Sequence, residues 1–86
     1  MYNLFSQMAL AEAARIGARC VVHEGFPYKV SFNRVLLIAL INDTDMAYTV
    51  RNANGQLAKA NYETGRMTVS EFITEAVAAL SKYSRL

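Results

Sequence analysis

The sequence predicts an α+β fold, in which one antiparallel sheet of about four to five strands is flanked by an N-terminal and a C-terminal helix in two layers. Apolar residues recur at helical spacing near both ends of the chain, a period of two runs through its middle, and short turn signals separate the alternating segments. Strands grouped between terminal helices indicate that both helices cover one sheet face. The 86 residues are expected to form a single compact domain, 1–86.

Residues 3–17 are predicted to form the first helix. Their apolar side chains fall near a 3.6-residue period and make one stripe, which Glu12 interrupts. The stripe comprises Leu4, Phe5, Met8, Ala9, Ala11 and Ile16. Asn3 can cap the first turn, because its side-chain oxygen accepts a backbone N–H, and Gly17 stands where a left-handed residue ends a helix.

Two extended segments, 19–24 and 28–33, follow the helix and are separated by a turn at Gly25-Phe26-Pro27. The second segment alternates cleanly, which is typical of a strand with one solvated face. Its apolar face carries Tyr28, Val30 and Phe32, and its polar face carries Lys29, Ser31 and Asn33.

Residues 35–41, VLLIALI, are seven consecutive apolar side chains that end at a turn cluster, Asn42-Asp43-Thr44-Asp45. We interpret the segment as a strand because three of its residues are β-branched. A short buried helix capped by Asn33 is the alternative, since periodicity does not discriminate within a solid apolar run.

Residues 46–52 and 56–62 are predicted to form a β-hairpin around Ala53-Asn54-Gly55. A two-residue Asn54-Gly55 turn would oppose each apolar residue with a polar one, whereas a three-residue loop with a left-handed Gly55 keeps apolar residues on one face. The three-residue loop predicts the pairs Val50–Ala58, Tyr48–Ala60 and Met46–Tyr62. The other face would then carry Thr49, Arg51, Leu57, Lys59 and Asn61.

The second helix has the clearest start signal in the chain. Thr68 and Glu71 fit a capping box, and Met67 and Phe72 fit the hydrophobic staple that accompanies it. Apolar residues then follow at helical spacing to about residue 83. They are Val69, Phe72, Ile73, Ala76, Val77, Leu80 and Tyr83.

The composition predicts self-association. Hydrophobic residues make up 53% of the chain and charged residues 19%, against about 45–50% and about 25% in an average domain. Because a chain this short buries a modest share of its surface, the surplus is expected to be covered in a homodimer, the commonest symmetric assembly. The alternative is a monomer in which small alanine side chains inflate the apolar count.

The distribution of charge and the length of the apolar segments indicate which partners and which cellular location to expect. The net charge is +2, and the nine basic residues are scattered singly, whereas a nucleic-acid-binding domain concentrates positive charge on one face. The N-terminal segment lacks the regions of a signal peptide. The longest apolar run, seven residues, is shorter than the ~18 residues of a membrane span. A cytoplasmic protein without a membrane segment is expected.

The candidate reactive groups do not fit a catalytic pattern. Cys20 and His23 point to opposite faces if their segment is a strand, and one Cys with one His does not supply the four ligands of a structural zinc site. Asp43-Thr44-Asp45 lacks the further ligands and the glycine of an EF-hand loop, so it is interpreted as a turn.

Acid–base pairs are equally unsupported, since neither His23 with Glu24 nor Glu12 with Glu63 has a spacing that brings the two together. Phosphate-binding glycine loops and nucleophile elbows do not occur in the sequence. We therefore expect no catalytic residues, no cofactor and no metal, and we expect that the protein is not an enzyme.

A nucleic-acid-binding α+β domain is the alternative function. Aromatic residues on β-strands, interleaved with basic residues, can form a platform on which the bases of single-stranded nucleic acid stack. The aromatics here are Tyr28, Phe32, Tyr48 and Tyr62. They are predicted to alternate onto the apolar face, opposite Lys29, Arg51 and Lys59, which disfavours a platform.

The favoured function is a small non-enzymatic protein–protein interaction module, a regulator or inhibitor of a larger protein or complex, of the accessory kind that phages carry. Its expected interface is the second sheet face, with an apolar centre and a polar rim. The predicted interface residues are Leu36, Ile38, Leu40, Thr49, Arg51, Leu57 and Lys59. The competing hypothesis is a three-layer monomer, in which one of the helices covers this second face.

Overall fold

The protein forms a five-stranded antiparallel sheet with both helices on one face. The computed structural model describes residues 4–23, 28–41, 45–64 and 67–84. The elements in chain order are α1 (Leu4–Ile16), β1 (Cys20–His23), β2 (Tyr28–Phe32), β3 (Val35–Ile41), β4 (Asp45–Arg51), β5 (Leu57–Thr64) and α2 (Val69–Ser84). The strands lie side by side in the order β1-β2-β3-β4-β5. The expected α+β class with terminal helices is confirmed.

The core lies between the helices and one side of the sheet. Phe5 of α1 and Phe72 of α2 belong to the same buried cluster as Val30, Leu37 and Tyr48 of the strands. Because these strand residues all project to the same side, the structure has two layers. The hypothesis of a three-layer domain, with a helix over the second face, is therefore wrong for the described residues.

The two helices run side by side in the same direction. Phe5 and Ile73 line one small apolar pocket near the helix starts, and further along Ser81 Oγ donates to Glu12 Oε1 at 3.2 Å. This contact explains why Glu12 interrupts the apolar stripe of α1, since its carboxylate faces the neighbouring helix.

The ends of α1 follow its sequence signals where they are described. Gly17 has φ +69°, and Ala18 N donates to Ala13 O at 2.9 Å, which satisfies a carbonyl of the last turn. The predicted cap, Asn3, lies outside the described residues.

β2 and β3 are joined by a two-residue turn that the sequence analysis did not identify. Phe32 pairs with Val35, so the loop consists of Asn33 (φ +50°) and Arg34 (φ +73°), and two positive φ values are the mark of a type I′ hairpin turn. Asn33 also holds β1, because its N–H donates to Arg19 O at 2.9 Å and its Oδ1 accepts from Arg19 N at 2.8 Å.

The apolar segment 35–41 is strand β3, so the strand interpretation is confirmed and the helix alternative is wrong. Val35, Leu37 and Ala39 are buried under the helices. Leu36 and Ile38 are half-buried in this chain. The turns predicted at 25–27 and 42–44 fall on residues that the structure does not describe.

The β4–β5 loop has the predicted length, but the predicted register is wrong. Asn52 N donates to Gln56 O at 3.0 Å, Gly55 has φ +79°, and Arg51 pairs with Leu57. One extra residue, Ala58, then forms a β-bulge. The observed pairs are Val50–Lys59, Tyr48–Asn61 and Met46–Glu63.

The bulge brings polar side chains to the helix side of β5. Asn61 Nδ2 donates to Glu75 Oε1 of α2 at 2.8 Å, a contact that the predicted register would have directed to the opposite face. β5 is the outer strand of the sheet, so its helix-side positions remain partly solvated and tolerate charged residues. This tolerance is the physical reason that the apolar pairing rule failed here.

The start of α2 confirms the capping prediction. Glu71 N donates to Thr68 Oγ1 at 3.1 Å, and Thr68 Oγ1 donates to Glu71 Oε1 at 2.9 Å. Met67 packs against the core, which includes the fully buried Phe72. The helix begins at Val69 and runs to Ser84.

Candidate protein-interaction surface

The side of the sheet away from the helices is named the open face. In the described part of the chain, neither helix lies over it. The register places these residues on it: Val21, His23, Lys29, Ser31, Leu36, Ile38, Leu40, Asp45, Ala47, Thr49, Arg51, Leu57, Ala60 and Tyr62.

The centre of the open face is apolar and its surroundings are mixed. Ile38 lies between Lys29 and Thr49, Leu36 lies between Ser31 and Arg51, and Leu40 lies beside Ala47. Of the six exposed large hydrophobic residues in the described ranges, four are on this face. They are Val21 (50%), Leu40 (44%), Leu57 (56%) and Tyr62 (62%). Exposed apolar area is therefore concentrated on one side of the sheet.

Six of the seven predicted interface residues lie together on the open face, and one does not. Lys59 pairs with Val50 and so lies on the helix side, because the bulge at Ala58 reverses the orientation of the rest of β5. The same reversal brings Ala60 and Tyr62 onto the open face, where the sequence analysis did not place them. The available signal for this orientation was the polar character of Lys59, Asn61 and Glu63 at alternate positions. It conflicted with the rule that apolar residues of neighbouring strands oppose each other.

The reversal also changes where the aromatic residues lie. Phe32 and Tyr48 are buried and Tyr28 packs against the core, as predicted. Tyr62 was predicted on the apolar side and instead shares the open face with Arg51.

Hydrogen bonds hold several polar side chains at the margins of the open face. His23 Nε2 lies 2.8 Å from Ser31 Oγ, and Arg51 Nη1 donates to Gly55 O at 3.0 Å. Partial desolvation and a hydrogen bond to the Asp45 carboxylate raise the pKa of Tyr62. The Tyr62 hydroxyl is thus neutral at physiological pH and belongs to the polar rim.

The thiol and the imidazole considered for catalysis are on different sides of the sheet. Cys20 pairs with Phe32 on the helix side, whereas His23 is on the open face. Burial raises the pKa of the Cys20 thiol, so the thiol stays protonated at neutral pH and is a poor nucleophile. Within the described ranges, no group of three His, Cys, Asp or Glu side chains is placed to hold a metal ion.

A polar cluster on the helix side ties β4 and β5 to α2. Glu75 Oε1 accepts from Asn61 Nδ2 at 2.8 Å and from the Tyr48 hydroxyl at 3.4 Å. Tyr48 is almost fully buried, and its ring meets Phe72 edge-on with centroids 5.6 Å apart. Desolvation, followed by the Glu75 charge, raises the pKa of Tyr48 to about 12.

Stability is therefore expected to fall above pH 10. The tyrosine pKa rises from 10 in the unfolded chain to about 12 in the folded protein, so below pH 10 both states are neutral and stability is fully present. Between these values the unfolded state ionises first, so stability is lost as pH rises. Urea midpoints measured across this window should fall, and Tyr48→Phe should reduce the slope. An unchanged slope in Tyr48→Phe would contradict the assignment.

Neither helix among the described residues is long and apolar enough to cross a membrane. The open face is interpreted from its own geometry, because comparison with protein-family models, with curated proteins and with solved structures finds no match for this chain.

Proposed function

We propose that the protein is a small non-enzymatic protein–protein interaction module of the cytoplasm, a regulator or inhibitor that binds a larger protein or complex. The proposal includes a homodimer formed through the open face. One observation carries it: a five-stranded sheet has a helix layer on one side and an apolar centre, Leu36, Ile38 and Leu40, on the other.

The anatomy of the open face supports a protein partner. Interfaces have apolar centres and polar rims, and here Arg51 and Lys29 stand next to the central β3 residues. Burying one Leu or Ile side chain fully contributes about 1.5–3 kcal/mol relative to full exposure. Leu36 and Ile38 are only half-buried and Leu40 is exposed, so covering them gives a favourable contribution to association.

The charges on β4 are self-complementary. Asp45 and Arg51 lie at opposite ends of the strand, both on the open face. Consider two copies that stack with their open faces together, related by a two-fold axis that runs perpendicular to the strands at the level of residue 48. Arg51 of one copy then lies over Asp45 of the other, because each is three residues from position 48. The same axis sets Ile38 over Leu40 of the second copy, because these residues pair with positions 49 and 47. Two sheets stack face to face about 10 Å apart, which suits such side chains.

Light scattering during size-exclusion chromatography tests the dimer. The wild-type protein is expected to contain at least two chains per particle, and Ile38→Asp should halve that number while the circular dichroism spectrum stays unchanged. Ala14→Asp, an exposed position on α1, is the matched control and should leave the number unchanged.

A strictly monomeric wild-type protein at micromolar concentration contradicts the proposed interface. The same is true if Ile38→Asp keeps the wild-type number of chains. Affinity capture from the native host with wild-type and Ile38→Asp bait then identifies the larger partner, as the protein retained by the first and lost by the second.

A further inference from the structure

The outer strand β5 offers a second contact that does not depend on the open face. We propose that β5 pairs with β5 of a second copy, antiparallel, about a two-fold axis at Asn61. The occupant of this edge is a second copy of the chain, and the product is one continuous sheet of ten strands. The charge pattern of β5 carries the proposal.

β5 is a long strand with one bare side. It spans eight residues at the end of the sheet, whereas β1 at the opposite end spans four. In the described part of the chain nothing pairs beyond β5, so its outward N–H and C=O groups are free to pair with another strand. Leu57 and Tyr62 on β5 are also the two most exposed large hydrophobic residues described.

The strand is complementary to itself only in one register. Two residues that lie directly opposite each other in a sheet project to the same face. In a symmetric pairing of β5 with a second β5, the two-fold axis must therefore lie at a residue that opposes its own copy, and not midway between two residues. An axis at Asn61 opposes Lys59 with Glu63 of the other copy, twice, and opposes Ala60 with Tyr62, twice. An axis at Ala60 or at Tyr62 matches no opposite charges.

Each set of pairs fits the side of the sheet on which it falls. Lys59, Asn61 and Glu63 are on the helix side, where Asn61 also bonds Glu75, and Ala60 and Tyr62 are on the open face. Opposite charges directly across a strand pair are favourable, and a large aromatic residue opposite a small one packs without a clash. The bulge at Ala58 ends the regular part of the strand, so pairing is confined to about residues 59–64.

Charge reversal tests the contact in the Ile38→Asp variant, which lacks the open-face contact. With both contacts the wild-type protein contains four chains per particle, so this variant is expected to remain a dimer through β5. Adding Lys59→Glu or Glu63→Lys alone should raise its dissociation constant about tenfold or more, and combining both should restore it. Arg19→Glu, an exposed residue outside β5, is the control and should have no effect.

The results separate the two proposals. A monomeric Ile38→Asp variant, or a failure of the doubly reversed variant to recover, overturns the β5 contact and leaves the open face untouched. Conversely, if wild type and Ile38→Asp both contain the same number of chains and that number is two or more, the result contradicts the open face alone.

Disulfide trapping tests the register without using Ile38→Asp. With Cys20→Ala as background, Asn61→Cys should form a cross-linked dimer, because the two positions face each other across the axis. Lys59→Cys should not, since its two copies lie four residues out of register, about 14 Å apart. Equal cross-linking of the two variants, or no cross-linking by Asn61→Cys, overturns the proposal.

Discussion

Leu37→Asp is expected to leave the protein unfolded at neutral pH. Leu37 is fully buried in the core beneath the helices. Truncating a buried Leu costs about 2–5 kcal/mol, and an unpaired buried carboxylate costs several kcal/mol more. A domain of this length is stable by about 4–13 kcal/mol, so the combined loss approaches or exceeds the whole stability. Circular dichroism and urea titration measure the loss directly.

Ile38→Asp, at the adjacent position of β3, is the matched comparison. Ile38 points to the open face and is half-buried in this chain, so the same charge reaches solvent there and the fold is expected to survive. If both variants unfold, Ile38 is part of a buried layer and the two-layer architecture is contradicted. If both stay folded, Leu37 does not lie in the core.

Phe72→Ala is expected to lower the free energy of unfolding by about 3–5 kcal/mol, the usual cost of removing a buried Phe. Phe72 is fully buried at the start of α2 and contacts Tyr48 edge-on. The cavity therefore weakens the attachment of α2 to β4. In a domain of this length, each kcal/mol corresponds to about 4–8 °C in Tm.

Val69→Ala is the control for Phe72→Ala, because Val69 lies in the same helical turn but is 45% exposed. Its expected cost is below about 1 kcal/mol, measured by the same thermal and urea titrations. Similar losses for the two variants would contradict the burial pattern of α2.

Most elements were predictable because their signals are local. The Thr68 hydroxyl caps α2 by accepting from Glu71 N, three residues away. At the end of α1, Gly17 has a positive φ and Ala18 N donates to Ala13 O, five residues back. The alternation of β2 identified its buried residues, because the side-chain period of a strand is two. The central residues of the candidate site, Leu36, Ile38 and Leu40, followed from pairing 35–41 with the alternating segment 46–52, because directly opposed residues share a face.

Two features of the hairpins were not predictable in this way. Arg34 adopts φ +73° although it is not a glycine, since the pairing of Phe32 with Val35 leaves only two residues for the turn. The bulge at Ala58 depends on contacts far away in the chain, among them the bond from Asn61 to Glu75. Asn61 and Glu75 are 14 residues apart in the chain, so a pattern within β5 does not predict this bond.

The division between local and long-range information is clearest at the candidate site. Pairing with the alternating segment 46–52 is sufficient to separate the residues of 35–41 that lie under the helices from those on the open face. The placement of Lys59 and Tyr62 required the tertiary structure, because one bulged residue reverses every later side chain of an edge strand. The bulge at Ala58 places Asn61 within hydrogen-bonding distance of Glu75 on α2, a helix that begins more than ten residues further along the chain.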